Sequence, residues 1–386
     1  MTSKLPFVAL LVLAAACDKP RNDAPAASSP PLPPANPELR SGAMDRPADQ
    51  PTPTRPGEMK VRDPLAAANA DMKKVLEQLG ALGGKPPETL LPDEARKQPT
   101  PADAVKALLT KEGKSTAPEP VGKVEDRKIP VQGGQIGVRL VTPKKADKKP
   151  LPVVVYFHGG GWVLASNDVY DASIRGLANT SGAIVVAVDY RLAPEHKFPT
   201  QHDDAFAGYQ WALKNAASFG GDPKRVAVAG ESAGGNLAAN VAIMARDKGA
   251  AMPVHELLVY PMATTNMDTT SYREWAKAKP LSKDGMGWFF SQAERSPADA
   301  TDPRLDLVNA KLDKLPPTTI VLAQIDPLYS DGEELGKKLK AAGVDVDTKS
   351  YDGVTHEFFG MGAAVADAKD AMEWAGGRLG KALNTR

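Results

Sequence analysis

The pentapeptide Gly230-Glu231-Ser232-Ala233-Gly234 fits the pattern G-x-S-x-G, which places a serine where it can act as a nucleophile. The apolar run RVAVA precedes it and the helix-forming run AGGNLAANVAIMARD follows it. This order predicts a sharp strand-to-helix turn whose flanking positions only glycine tolerates. Ser232 would then sit at a helix N-terminus, where the partial positive charge favours developing negative charge. A chance match is the alternative, and the strand–turn–helix context argues against it.

A second glycine-rich segment, HGGGW at 158–162, follows the apolar run PVVVYF. Three consecutive glycines let backbone N–H groups come close to a ligand. In acyl transfer those donors, together with the N–H of Ala233, would stabilise the oxyanion of a tetrahedral intermediate. A surface turn or a phosphate loop is the alternative reading. The chain has no G-x-G-x-x-G, and EGKST at 112–116 lacks the first glycine of a P-loop.

A nucleophilic serine needs a base, and one of the five histidines can be selected by chain order. In α/β-hydrolases the order is serine, acid, histidine, which excludes His158, His196 and His202. His255 opens a predicted strand, where a structural histidine is usual. His356 alone follows the last predicted strand, and we predict that it is the base. The segment HEFFG lacks the second histidine of H-E-x-x-H, so no zinc site is predicted there.

The carboxylate that orients the base is expected after the penultimate strand. The run TTIVLA leads into Gln324-Ile325-Asp326-Pro327-Leu328, and Asp326 is the first carboxylate beyond that strand. Asp331 is the nearest rival, for which we predict instead the N-cap of a helix that opens at Gly332.

The elements around these motifs alternate between strand and helix. After a hairpin at 122–129 and 135–141, apolar runs lie at 152–157, 183–188, 225–230, 255–260 and 318–323, and a last strand at 346–351. Helical stretches at 172–180, 203–217, 233–248, 333–342 and 363–383 separate them. Unalternated β-branched runs suit parallel strands covered on both faces. The sequence predicts an α/β fold with about eight mostly parallel strands.

Two segments lie outside this alternation. Apolar residues at helical spacing predict one amphipathic helix over 65–79 and another near 102–109, with LPDEARKQP (91–99) irregular between them. The long stretch 264–314 has no strand pattern and is expected to pack as a lid beside these helices.

Taken together, five segments resemble the hormone-sensitive-lipase-like carboxylesterases of the α/β-hydrolase fold. They are HGGGW (158–162), DYRLAPEHKFP (189–199), GESAGGN (230–236), DPL (326–328) and THEFF (355–359). The similarity covers roughly residues 63–383. The combination of the five segments is far more specific than any one of them.

The resemblance implies an oxyanion hole formed by Gly159, Gly160 and Ala233, and a triad on the serine, aspartate and histidine selected above. It implies a lid from 63–116 and 264–314, a bracing role for 191–199, and no metal or organic cofactor.

The sequence departs from the family pattern at three positions. Glu231 stands where aspartate is more common, Glu357 where glycine is common, and Ser330 where aspartate is frequent. These departures remove no catalytic group, but they leave the acyl pocket and the substrate preference unassigned. Trp288 and Phe289, followed by Phe290, are candidates to line it, and core packing of the lid is an equal alternative.

The N-terminal sequence is typical of an export signal. One Lys precedes an apolar run that is too short to span a bilayer, and the run ends in LAAAC at the single cysteine, Cys17. This resembles a lipoprotein signal with Cys17 lipidated, except that Ala14 replaces the usual leucine. We predict a signal peptide (1–17), a Pro/Ala-rich tether (18–58) and a hydrolase domain (59–386). The protein would be anchored to a membrane facing the periplasm, or otherwise secreted or periplasmic.

The composition of the chain bears on the class of partner. The formal net charge of +1 gives no reason to expect nucleic acid as a partner. A small-molecule ester is the substrate that the resemblance implies. The leading hypothesis is hydrolysis of esters with short to medium acyl chains. A lipase, an amidase, a lactonase or an inactive binding module of the same fold remain alternatives.

Overall fold

A computed structural model describes residues 60–146 and 150–384. The predicted signal peptide with Cys17 and the predicted tether lie outside the described residues. No described helix combines the length and apolarity that a bilayer span requires.

One eight-stranded sheet forms the centre of the fold. Its strands are β1 (Lys123–Val131), β2 (Gly134–Thr142), β3 (Leu151–Phe157), β4 (Ile184–Asp189), β5 (Gly221–Glu231), β6 (Glu256–Val259), β7 (Thr318–Ile325) and β8 (Val346–Thr355). They are ordered β1-β2-β4-β3-β5-β6-β7-β8. The β1/β2 and β2/β4 pairs are antiparallel and all others are parallel. The predicted fold class, with an antiparallel start and a parallel remainder, is confirmed.

The continuous apolar runs reflect burial on both faces of the sheet. Every residue of β3 is buried. Val153, Val155 and Phe157 point into one hydrophobic cluster, whereas Val154 and Tyr156 belong to the other. A strand covered by helices on both sides has no solvent-facing positions, so its sequence shows no polar alternation.

Helices cover both faces and are bounded as follows: α1 (Pro64–Ala67), α2 (Ala70–Ala81), α3 (Pro92–Ala95), α4 (Pro101–Lys111), α5 (Asp171–Ser181), α6 (Thr200–Asn215), α7 (Ala233–Asp247), α8 (Thr270–Glu274), α9 (Lys283–Ala293), α10 (Tyr329–Ala341) and α11 (Ala366–Asn384). Buried residues of α6, α7, α9 and α10 share one cluster. Those of α2, α4, α5 and α11 share the other.

Two expectations for the N-terminal helices were wrong. The single helix predicted over 65–79 is divided at Ala68, and α2 restarts because the Asn69 side chain accepts a hydrogen bond from Met72 N–H. The Asn69 amide also donates to Asp367 near the C-terminus at 2.7 Å. Residues 91–99, predicted to be irregular, contain the single turn α3.

The two segments predicted to form a lid contact each other. Residues 264–314 contain α8, α9 and two short 3₁₀ turns, and no strand. Ser282 caps α9 through Gly285 N–H. The Ser282 hydroxyl also lies 3.5 Å from a carboxylate oxygen of Glu88 in the N-terminal segment.

Candidate active site

Ser232 lies on the sharp turn between β5 and α7. Its φ of 58° and ψ of −120° are strained for a residue with a side chain. A Cβ on Gly230 would lie 2.0 Å from the carbonyl oxygen of Gly234. One on Gly234 would lie 2.0 Å from the carbonyl oxygen of Phe157 at the end of β3. Both flanking glycines are therefore required by close backbone approach, as the sequence predicted.

The structure brings Ser232, His356 and Asp326 together from three separate loops. His356 Nε2 lies 2.9 Å from Ser232 Oγ, and His356 Nδ1 lies 2.6 Å from Asp326 Oδ2. All three residues are buried. His356 directly follows β8 and Asp326 directly follows β7, so both stand at the same sheet edge as the serine.

The electrostatics of His356 favour its charged form. Burial alone would lower the pKa of the imidazole. The charge and hydrogen bond of Asp326, with a further contribution from the charge of Glu357, outweigh burial and raise the pKa above its ordinary value. This environment stabilises an imidazolium, which is what a histidine becomes when it takes a proton.

The glycine loop lies against the serine turn with its amide groups available. The backbone N–H groups of Gly159, Gly160 and Ala233 donate to no other described residue. Gly160 has a φ of 93°. An added Cβ there would lie 2.3 Å from the carbonyl oxygen of Leu164. One on Gly159 would lie 3.1 Å from the carbonyl oxygen of Glu231 in the turn. The loop and the turn therefore present free donors side by side.

The ring of Phe289 packs directly on this loop. A Cβ placed on Gly161 would fall 2.2 Å from Phe289 Cδ1. Trp288 meets Phe289 edge to face with centroids 5.2 Å apart. Phe289 is buried in the cluster that contains α7, and Trp288 is partly exposed. Phe289 thus combines core packing with a position beside the candidate oxyanion loop.

Residues 191–199 brace the far side of the glycine loop. The Arg191 guanidinium pairs with the buried carboxylate of Asp204 at 2.7 Å. Ala193 N–H donates to the carbonyl oxygen of Trp162. Arg96, which ends the α3 turn, donates to the carbonyl oxygens of both Val163 and Ala193. The N-terminal segment therefore helps to fix the loop, although no pattern around Arg96 predicted this.

The predicted N-cap role of Asp331 is wrong. Helix α10 begins at Tyr329, so Asp331 lies inside its first turn. One carboxylate oxygen of Asp331 accepts from Ala263 and Thr264 N–H, where the 264–314 segment leaves the sheet. Burial raises the pKa of Asp331 well above its usual range. Ser330, its neighbour, exchanges hydrogen bonds with Ser271 in α8.

Of the other histidines, His158, His202 and His255 have structural partners for their side chains. His158 stacks on Tyr190 and its Nδ1 lies 2.8 Å from the carbonyl oxygen of Gly159. His255 Nε2 lies 2.9 Å from the hydroxyl of Thr319, although its Nδ1 has no partner among the described residues. Within 60–146 and 150–384, no three His, Cys, Asp or Glu side chains are grouped to hold a metal ion.

A set of buried tyrosines around the site had not been predicted. Glu231 accepts hydrogen bonds from the hydroxyls of Tyr156 and Tyr260, and Glu357 accepts one from Tyr170. The sequence identified the two glutamates only as departures from the family pattern. The tyrosines come from separate elements, so no local pattern links them to the glutamates.

The sheet order, the serine turn between β5 and α7, and the loops after β7 and β8 define the class of α/β-hydrolases. A family model described as alpha/beta hydrolase fold matches residues 154–360. The chain is 39% identical to carboxylesterase NlhH of Mycobacterium tuberculosis over 276 residues, covering 70% of this chain and 86% of the relative.

Two further similarities span nearly the whole relative. Ethyl acetate hydrolase of Pseudomonas putida is 32% identical and covers 79% of this chain and 96% of its own length. A solved hyperthermophilic esterase from the archaeon Pyrobaculum calidifontis has a TM-score of 0.74 at 36% identity, over 82% of this chain and 98% of that one. The chain belongs to the α/β-hydrolase family, among its hormone-sensitive-lipase-like carboxylesterases, and is a carboxylic ester hydrolase.

Proposed function

We propose that the protein hydrolyses esters of short to medium acyl chains through a Ser232–His356–Asp326 triad and an acyl-enzyme. The observation that carries this proposal is the two-sided contact of His356, with Ser232 Oγ 2.9 Å from one ring nitrogen and Asp326 2.6 Å from the other. This is the geometry by which a histidine both accepts the serine proton and keeps its tautomer.

In the acylation step, Ser232 Oγ attacks the ester carbonyl carbon while His356 Nε2 takes the hydroxyl proton. The negative charge that develops on the carbonyl oxygen is held by the N–H groups of Gly159, Gly160 and Ala233. The C–O bond to the alcohol then breaks, and the imidazolium returns its proton to the departing alkoxide.

Deacylation repeats the same steps with water as the nucleophile. His356 takes a proton from water as the water oxygen attacks the acyl carbon. The bond to Ser232 Oγ breaks, and the proton returns to the serine. Asp326 holds the ring throughout and stabilises each imidazolium without becoming protonated itself.

We assign the acyl preference to Trp288 and Phe289. The Phe289 ring lies on Gly161, so it limits the space next to the oxyanion donors. The similarity to a protein named ethyl acetate hydrolase also favours a small acyl group.

The test is turnover of p-nitrophenyl esters from acetate to palmitate, with Ser232→Ala as the matched inactive variant. We expect the highest kcat/KM on the shorter esters and a loss of at least about 10⁴-fold in Ser232→Ala with unchanged thermal unfolding. A maximum at palmitate would indicate a lipase. Faster turnover of anilides or lactones than of any ester would indicate an amidase or a lactonase. Folded protein with neither burst nor turnover would indicate a binding module.

We further propose that Cys17 carries a lipid anchor, with Asp18 beside it and the 18–58 tether holding the enzyme away from the membrane. Intact mass of the mature protein tests this. A diacylglyceryl adduct on Cys17, lost in Cys17→Ser, is expected. A mature chain that begins elsewhere without an adduct would mean simple secretion.

A further inference from the structure

Two carboxylates stand beside the proposed base in addition to Asp326. Glu357 immediately follows His356, and its Oε1 lies 3.9 Å from His356 Nε2. Glu231 immediately precedes Ser232 and is buried under the turn. Because Nε2 is also the atom that faces Ser232 Oγ, the Glu357 carboxylate lies on the side of the ring where a proton would arrive.

The hydroxyl of Tyr170 holds Glu357 in this place. It donates to Glu357 Oε1. The same hydroxyl packs under the glycine loop, since a Cβ on Gly159 would lie 2.3 Å from it. One tyrosine therefore connects the loop that carries the base with the loop that carries the candidate oxyanion donors.

The other groups that face these side chains are neutral or negative. Tyr156 and Tyr260 donate to Glu231. The Tyr260 ring also lies 4.6 Å from the His356 ring. Within residues 60–146 and 150–384, neither Glu231 nor Glu357 pairs with a lysine or arginine. A protonated His356 is thus the one cation that Glu357 meets in the described chain.

The two glutamates differ in how readily they bear charge. Burial and the negative charge of Glu357 raise the pKa of Glu231 to about 7. Glu357 is partly exposed, whereas Glu231 is buried. Burial also raises the pKa of Glu357, but the charge of His356 and the Tyr170 hydroxyl oppose that rise. Burial and the charge of Glu357 therefore disfavour a charge on Glu231, whereas the imidazole and the Tyr170 hydroxyl favour one on Glu357.

The backbone at Glu357 is left-handed, with a φ of 69°. Glycine is favoured in this region, and a residue with a side chain adopts it under strain. The chain nevertheless places a carboxylate there, beside the imidazole.

We propose that Glu357 is a positioning residue whose carboxylate, held by Tyr170 beside Nε2, stabilises the His356 imidazolium when Ser232 gives up its proton. The inference rests on the proposed function and deepens it. The base would then face a carboxylate on each side of its ring, with Asp326 on Nδ1 and Glu357 near Nε2. Of these two carboxylates, only Asp326 is hydrogen-bonded to the ring.

The test is the pH profile of kcat/KM for Glu357→Gln, which keeps the shape of the side chain and removes its charge. The acidic limb of that profile reports the base of the free enzyme. Loss of the nearby charge lowers the pKa of His356, so we expect the limb to move about one unit toward lower pH. The plateau is expected to fall about tenfold, because one pKa unit corresponds to a tenfold difference in stabilisation of the charged form.

Three variants keep the result interpretable. Glu357→Asp retains the charge, and its limb should stay closer to wild type than that of Glu357→Gln. Tyr170→Phe frees the carboxylate without removing it, and should move the limb in the same direction by a smaller amount. Asp352→Asn removes an exposed carboxylate of the same strand, β8, and should move nothing.

A limb that stays at the wild-type position in both Glu357→Gln and Tyr170→Phe would overturn the inference, whatever happens to the plateau. A Glu357→Asp limb that moves as far as that of Glu357→Gln would also overturn it, because shape rather than charge would then matter. These outcomes leave ester turnover intact in the wild type. Failure of the proposed function would instead appear as wild-type turnover that is absent or survives in Ser232→Ala.

Discussion

Asp326 orients His356 with one oxygen and is itself oriented through the other. Its Oδ2 lies 2.6 Å from His356 Nδ1, while Oδ1 accepts the N–H of Leu328 at 2.8 Å. The carboxylate is therefore held by its own loop as well as by the histidine. This arrangement places the proton of the neutral imidazole on Nδ1 and leaves Nε2 free to accept one from the serine.

Asp326→Asn should therefore reduce kcat by about 10⁴-fold, because an amide can donate to Nδ1 and stabilise the wrong tautomer. Asp331→Asn is the matched control, since Asp331 contacts the backbone of Ala263 and Thr264 rather than His356. It should leave kcat within about tenfold of wild type, because the amide oxygen of asparagine can still accept from both N–H groups. The reverse ranking of the two variants in steady-state kinetics would transfer the acid role to Asp331.

Gly160→Ala should reduce kcat by about 10²-fold or more, because the new methyl group meets the Leu164 carbonyl and displaces a candidate oxyanion donor. Gly182→Ala is a matched control for backbone strain. Gly182 has a φ of 68° at the end of α5, and a Cβ there meets nothing within 4 Å. Gly182→Ala should lower the free energy of unfolding by about 1 kcal/mol without changing kcat. Equal kcat values for the two variants would argue against a role for the loop amides.

The main elements were predictable because their physical causes are local. A strand buried on both faces has a continuous apolar run, as β3 shows, and the serine turn needs glycines at fixed spacing. A candidate base could be selected because chain order and strand placement together leave one histidine. These features depend on residues that are adjacent in the sequence or on simple elimination.

Most of the omissions involve partners that are distant in the sequence. The break before α2 is capped locally by Asn69, whose amide also contacts a carboxylate 298 positions away. The Tyr156–Glu231 and Tyr170–Glu357 hydrogen bonds join residues 75 and 187 positions apart. Periodicity and motif spacing carry no information about such pairs, because only the folded sheet edge brings them together.

Glu256 should make a contribution to stability that falls as pH rises, because this residue keeps its proton in the native state. This residue is fully buried at the start of β6, and burial raises its pKa from 4.5 to about 8. Below pH 4.5 both states bind the proton. Between 4.5 and 8 the unfolded chain loses it and the native state does not, so the free energy of unfolding decreases with pH. Above pH 8 the native carboxyl is ionised as well, and the stability that protonated Glu256 contributed at low pH is lost.

Glu256→Gln should remove this pH dependence and stabilise the protein above pH 8 by up to about 5 kcal/mol, since each pKa unit corresponds to about 1.4 kcal/mol. Urea unfolding of both proteins from pH 5 to pH 9 is the measurement. Parallel stability curves for the variant and wild type over that range would contradict the prediction.

Phe289→Leu should shift the acyl preference toward longer chains. The Phe289 ring lies on Gly161, so a smaller side chain opens space next to the candidate oxyanion donors. Phe290→Leu is the matched control, because both phenylalanines are 7% exposed and neighbours in α9. Each substitution should lower the free energy of unfolding by about 1 kcal/mol or more, since both leave a gap in the same cluster.

Only Phe289→Leu should raise the ratio of kcat/KM on p-nitrophenyl octanoate to that on the acetate. An equal change in both variants would mean that the ring acts through lid packing, and an unchanged ratio in both would place the acyl group elsewhere.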